Sequence, residues 1–235
     1  MSIFNLRKDN KAPVFKAQAG DGLLCLDIYD TIGADLFGDG ITAGMVSDAI
    51  KDNPKLDITL NINSPGGDLF QGVAIYNVLK ASGRAITVNV VGLAASAASL
   101  IAMAGDTITM QLGTQLMIHE ALAMTAGFAA DMRKMADTLD SVTASAADIY
   151  VARTGMSKDS VLKLMADETW LSPEDAVKQG FATAVSSSKG IKNSFDLSMY
   201  KHTPIELKAK EAPACECGCD ECGDDKCPDC SNVDC

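Results

Sequence analysis

The run from residue 88 to 104 constrains the fold more than any other part of this sequence. It is almost wholly apolar, yet it contains Asn89, Gly92, Ser96 and Ser99. Its length is close to the minimum for a membrane span. Polar residues and a glycine inside it favour burial in a protein core, with Gly92 dividing a strand from a helix of small residues over 94–104. Such a segment needs covering elements, and the flanking sequence supplies them. Residues 23–30, 56–62 and 85–91 are rich in apolar and β-branched side chains and read as strands. Thr42 is placed to cap a helix over 43–51, and Val73, Ile75, Tyr76 and Leu79 have helical spacing within 70–82. Short strands are expected at 106–110 and 115–118. This βαβαβ rhythm predicts an α/β fold with a mainly parallel sheet covered by helices. A long helix over 128–153 should end at Gly155, and Ser157 and Ser172-Pro173 should open two shorter ones.

Composition narrows the function classes. The chain has 235 residues, 47% of them hydrophobic, which is ample for a large core. Its formal net charge of -11 repels phosphate backbones and argues against a nucleic-acid partner. The first ten residues turn polar before a secretory h-region can form, so no signal peptide is read there. Of the eight cysteines, only Cys25 precedes the final stretch, from Cys215 to Cys235. A body with one cysteine fits a reducing compartment, the cytoplasm. The expected organisation is an N-terminal segment (1–20), a catalytic body (21–190), a linker (191–210) and an acidic Cys-rich tail (211–235).

Catalytic candidates are few. The chain has two histidines, His119 and His202. His119 ends a compact apolar strand, where α/β sheets present functional side chains; His202 lies at the edge of the low-complexity tail. Ser96 stands where a strand passes into a small-residue helix, a position with the logic of a nucleophile elbow although Gly-x-Ser-x-Gly is absent. Ser99, one helical turn on, reads as packing. Pro65-Gly66-Gly67 follows a strand and offers backbone N–H groups to a developing negative charge. No Gly-x-x-x-x-Gly-Lys-[Ser/Thr] motif occurs, so a nucleotide P-loop is not supported.

Taken in order, Ile62-Asn63-Ser64-Pro65-Gly66-Gly67, Gly92-Leu93-Ala94-Ala95-Ser96-Ala97-Ala98, Met117-Ile118-His119 and the block from Glu168 to Val177 with Gly180 resemble the Clp protease proteolytic subunit (ClpP) family. The similarity runs over about 23–185 and is strongest to the ClpP-like peptidases of phages and prophages associated with head maturation. The resemblance implies a ClpP/crotonase-like spiral of βαβ units with a protruding long helix. It implies Ser96 as nucleophile, His119 as general base, and an oxyanion hole from Ala97 and either Gly66 or Gly67. By register Glu168 is the acid, with Asp167 as the alternative. It further implies a homo-oligomeric ring, a polypeptide substrate and no cofactor for catalysis. A separate ATPase would unfold folded substrates; capsid or scaffold proteins are the partners in a prohead. The long helix matches the family's ring-to-ring handle, and Met132, Met135, Leu139 and Ile149 are its candidate interface. Two other readings stand beside this one: a crotonase-like enzyme acting on acyl-CoA, for which a Ser–His pair has no use, and a catalytically silent ring or capsid protein.

The tail is separate. Cys219, Cys222, Cys227 and Cys230 form two Cys-x-x-Cys pairs with the ligand set for one tetrahedral Zn²⁺. The same composition also fits an acidic disordered tail with reduced thiols.

Overall fold

The computed structural model describes residues 15–33, 40–189 and 195–207. Along them run β1 (Phe15–Gly20), β2 (Leu23–Ile28), α1 (Ala43–Asp52), β3 (Asp57–Ser64), α2 (Leu69–Ala81), β4 (Ile86–Ala95), α3 (Ala97–Ala102), β5 (Thr107–Leu112), β6 (Gln115–Ile118), α4 (Ala129–Thr154), α5 (Lys158–Ala166), β7 (Thr169–Leu171), α6 (Pro173–Lys178) and β8 (Ala184–Lys189), with a 3-10 turn at Ile205–Leu207. The mixed α/β architecture expected from the sequence is present. Neighbours in the sheet follow the order β1-β2-β3-β4-β5-β8, and β6 and β7 branch from β4. Strands β2 to β5 and β8 are mutually parallel; β1 on β2 and β7 on β6 are antiparallel.

The apolar run behaves differently from the expected break at Gly92. Strand β4 continues through the glycine to Ala95, and the helix begins only at Ala97. The cause is a change of neighbour. Residues 87–90 pair with β5, whereas 93–95 pair with β6. On its other side the β3–β4 register shifts between Ile62 and Ser64, and there Asn63 Oδ1 accepts the Leu93 N–H at 3.0 Å. With these backbone groups engaged, the chain stays extended until Ser96. Every residue of β4 from Val90 onward is buried, which explains why this stretch is apolar.

Local signals placed most helices. Thr42, Ser157 and Ser172 each accept the expected N-terminal N–H, Asp68 caps α2, and Gly155 closes α4 at φ 72°. Two segments set apart in the sequence reading belong to the body. The end of the N-terminal segment is the edge strand β1. Part of the supposed linker packs through Leu197 and Tyr200 onto Leu93, Ala95 and Met117, with Phe195, Met199, Trp170 and Leu207 around them. Of the long-helix residues named above, Met132 is exposed, Met135 and Leu139 are half-buried on the wall of a cavity described below, and Ile149 packs on the main core. The Cys-rich tail, with Cys219, Cys222, Cys227 and Cys230, lies outside the described residues. No helix among the described residues is long and apolar enough to cross a membrane.

Helix α2 crosses α3 at Gly72. A Cβ there would sit 2.9 Å from Ala97 Cβ and 3.0 Å from Ala97 O. Alanine is the better helix former, but here it would force the two helices apart. Gly72→Ala should therefore destabilise the protein by about 1–3 kcal/mol, measured by chemical denaturation; a stabilised variant would show that the crossing has slack.

Candidate active site

Ser96 occupies the turn from β4 into α3 with φ 54° and ψ -125°, a backbone region that side-chain-bearing residues seldom adopt. Hydrogen bonds on both sides of the residue hold it there. Its N–H donates to Met117 O at 2.9 Å, and its carbonyl accepts from Ser99 N at 2.9 Å and from Ser99 Oγ at 2.6 Å. The sharp turn is that of a nucleophile elbow, reached without its usual glycine pattern. It brings Ser96 Oγ to 2.7 Å from His119 Nε2. His119 is the residue after β6, the strand to which the Ser96 N–H is tied, so both partners rest on one ladder.

The glycine loop approaches from β3. A Cβ on Gly66 (φ 93°) would lie 2.6 Å from Ala95 O and 2.7 Å from Ser96 Cβ; one on Gly67 (φ 141°) would lie 2.2 Å from Ile32 O. Only glycine permits this packing. The Gly66 N–H donates to Ser64 Oγ at 3.2 Å. Among the described residues, the N–H groups of Gly67 and Ala97 donate to no protein acceptor. The arrangement thus leaves Gly67 and Ala97, and not Gly66, with donors available beside Ser96.

Burial lowers the His119 pKa below its ordinary 6.5, and the nearby Glu168 charge opposes that shift. Neither candidate acid hydrogen-bonds His119. Glu168 lies in a turn at φ 47°, not in an extended segment. Its carboxylate accepts from Lys201 N at 2.9 Å, His202 N at 2.6 Å and Trp170 Nε1 at 3.3 Å. Asp167 caps α5, and its carbonyl accepts from His202 Nδ1 at 2.8 Å. His202 is exposed and far from the Ser–His pair in role; it pins the turn.

Sequence reasoning missed Tyr200. Its ring is buried against His119, with centroids 5.4 Å apart at 74°, and its hydroxyl donates to Pro65 O at 2.6 Å. Burial raises its pKa, and the Glu168 charge acts in the same direction. The signal available was the apolar spacing of Phe195, Leu197, Met199 and Tyr200, unusual for a linker. Ser96, His119 and Tyr200 open on a cavity of about 680 Å³. Its other walls are mostly apolar, among them Leu100, Met135, Leu139 and Val142.

A family model described as Clp protease matches residues 37–189, well over half of the chain. The chain belongs to the Clp protease family. It is 29% identical over 185 residues to the ATP-dependent Clp protease proteolytic subunit of Deinococcus radiodurans, covering 74% of this chain and 91% of that one. Subunit 2 of Tropheryma whipplei is 29% identical over 132 residues, 55% of this chain and 73% of its own length. Subunit 3 of Rhodococcus jostii is 30% identical over 139 residues, 58% and 68% respectively. The family match ends at the last residue of β8, so Tyr200 lies outside it.

A neutral imidazole is needed to accept a proton from serine, so activity should fall as pH drops through the folded pKa of His119. Because burial depresses that pKa, the acid-limb midpoint of kcat/KM should lie below 6.5. Glu168→Gln should move it lower still, since the carboxylate raises the pKa, while Asp167→Asn should leave it in place. A midpoint above 6.5, or a shift with Asp167 alone, would contradict this account of the site.

Proposed function

We propose that this Clp protease family member is a serine endopeptidase acting on extended polypeptides. The observation that carries the reading is the 2.7 Å contact between Ser96 Oγ and His119 Nε2 at a strained strand-to-helix turn. Ser96 Oγ attacks the scissile carbonyl carbon as its proton passes to His119 Nε2. The N–H groups of Gly67 and Ala97 receive the oxyanion. The C–N bond then breaks, His119 returns the proton to the leaving amine, and water hydrolyses the acyl-enzyme by the same route. Losing one such oxyanion donor typically costs about 10²–10³ in rate. Glu168 is the acidic member in a limited sense: its charge favours the imidazolium, with no hydrogen bond to the ring.

The cavity beside Ser96 favours an apolar side chain next to the scissile bond. Assembly into a homo-oligomer is supported by the family and by the outer end of α4 with the segment leading into it, where Phe128, Met132 and Met124 stand 85%, 37% and 60% exposed. The sequence contains no nucleotide P-loop motif, so folded substrates require a separate ATPase. The resemblance of the motif blocks to phage and prophage head-maturation peptidases, drawn from the sequence alone, is the ground for a capsid-maturation role, in which flexible scaffold segments are cut directly. The neighbouring genes test that role: a scaffold or capsid gene beside this one, whose product is processed on co-expression and left intact with Ser96→Ala, supports it, and neighbours unrelated to capsids, or a capsid protein left intact by the parent, reject it.

Ser96→Ala should abolish hydrolysis of an unstructured peptide, and Ser96 should be the residue labelled by a fluorophosphonate. Ser99→Ala should remain active. It removes the partner 2.7 Å from the buried Tyr150 hydroxyl, so it should cost about 1–3 kcal/mol of stability. An active Ser96→Ala protein would sink the assignment.

A further inference from the structure

Residues 195–207 follow the family-matched segment and return to the nucleophile. Tyr200 makes the contact. Its hydroxyl holds the Pro65 carbonyl, and its ring edge meets the His119 ring while Trp170 packs against it, 5.9 Å between centroids. Pro65 O belongs to the peptide unit that leads into Gly66, one residue before the available Gly67 N–H. Fixing that carbonyl restrains a loop whose two glycines restrain it little themselves. One side chain therefore touches both the loop that offers an oxyanion donor and the ring that must accept the proton.

The segment is itself pinned. Glu168 accepts the backbone N–H groups of Lys201 and His202, and Thr203 Oγ1 donates to Leu197 O at 3.1 Å, closing the turn around Tyr200. Leu197 and Tyr200 are 4% and 5% exposed. The segment nevertheless leaves the site open. Ser96 and His119 stay half-buried and share the cavity wall with Met199 and Tyr200. A plug would have covered the serine; this segment forms a side of the cavity instead.

We propose that Tyr200 is a positioning residue for peptide hydrolysis, holding the His119 ring and the Pro65–Gly67 loop in register with Ser96. Glu168 acts through it, by anchoring the Lys201–His202 backbone. In a Ser–His–acid triad the carboxylate orients the imidazole through a hydrogen bond; here ring packing supplies that orientation. The proposal rests on the serine-peptidase reading.

The test compares the full chain with Tyr200→Phe and Tyr200→Ala, using a fluorogenic unstructured peptide, the rate of fluorophosphonate labelling at Ser96, and thermal unfolding. Misplacement of a catalytic group by about 1 Å costs roughly 10² in rate, so Tyr200→Ala should lose about that much kcat and labelling rate, with KM little changed. Its acid-limb midpoint should rise towards 6.5 as His119 loses cover. Glu168, the charged group acting on His119, is retained in both variants. Tyr200→Phe keeps the ring and should restore the parental midpoint, leaving a loss of about tenfold from the freed Pro65 carbonyl. Undiminished kcat and labelling in Tyr200→Phe would overturn the proposal, and this holds even if Tyr200→Ala fails to fold. A folded Tyr200→Ala protein faster than the parent would also overturn it and make the segment inhibitory. Failure to label Ser96 in the parent would reject the serine-peptidase reading itself, and the Tyr200 proposal with it.

Discussion

The site depends on the hydrogen bond from Ser96 N–H to Met117 O. Ser96 adopts a backbone conformation that costs of order 1–3 kcal/mol when left unsupported. The bond transfers that cost to the β4–β6 ladder, which the buried side chains of Leu93, Ala95 and Met117 hold together. The same ladder delivers His119 two residues later, so the strain at the serine and the placement of the imidazole have one support. Without the change of partner along β4, the strand would have stopped beside β5 and neither residue would reach the other.

Much of this was legible in the sequence because it is written in local chemistry. Thr42, Ser157, Ser172 and Gly155 announce helix ends through groups that act within a few residues. Ser96, His119 and the two glycines stand at transitions between elements, where residue type and position reinforce each other. What was not legible depends on distant pairing. Nothing near Gly92 reveals that β6 lies ready to keep the strand going for three more residues. What separates the Gly66 N–H from the available Gly67 N–H is a single Ser64 hydroxyl. The surroundings of the candidate acid were hidden for a related reason: register points to Glu168, and its carboxylate is engaged by backbone from residues 201 and 202, remote in sequence. Composition alone made 191–210 a linker, although five of its residues carry the apolar side chains of a docked segment.

The electrostatics follow from this packing. His119 is covered by protein on most sides, which disfavours its charged form, and a single carboxylate nearby compensates in part. An imidazole with a depressed pKa is neutral at physiological pH, the state the proposed mechanism requires of His119, and an adjacent negative charge favours the imidazolium that mechanism forms. Burial and charge thus act in opposite directions on one ring, and the working pKa is their difference.

Helix α4 carries one more consequence. Its outer end presents Phe128 to solvent, and near its inner end Tyr150 meets Ser99, whose hydroxyl also holds the Ser96 carbonyl. A helix of 26 residues is about 39 Å long and behaves as a stiff rod. It is therefore a strut running from the protein surface to the backbone of Ser96. Leverage on its free end has a short, rigid route to a residue whose backbone is already held in a seldom-adopted conformation.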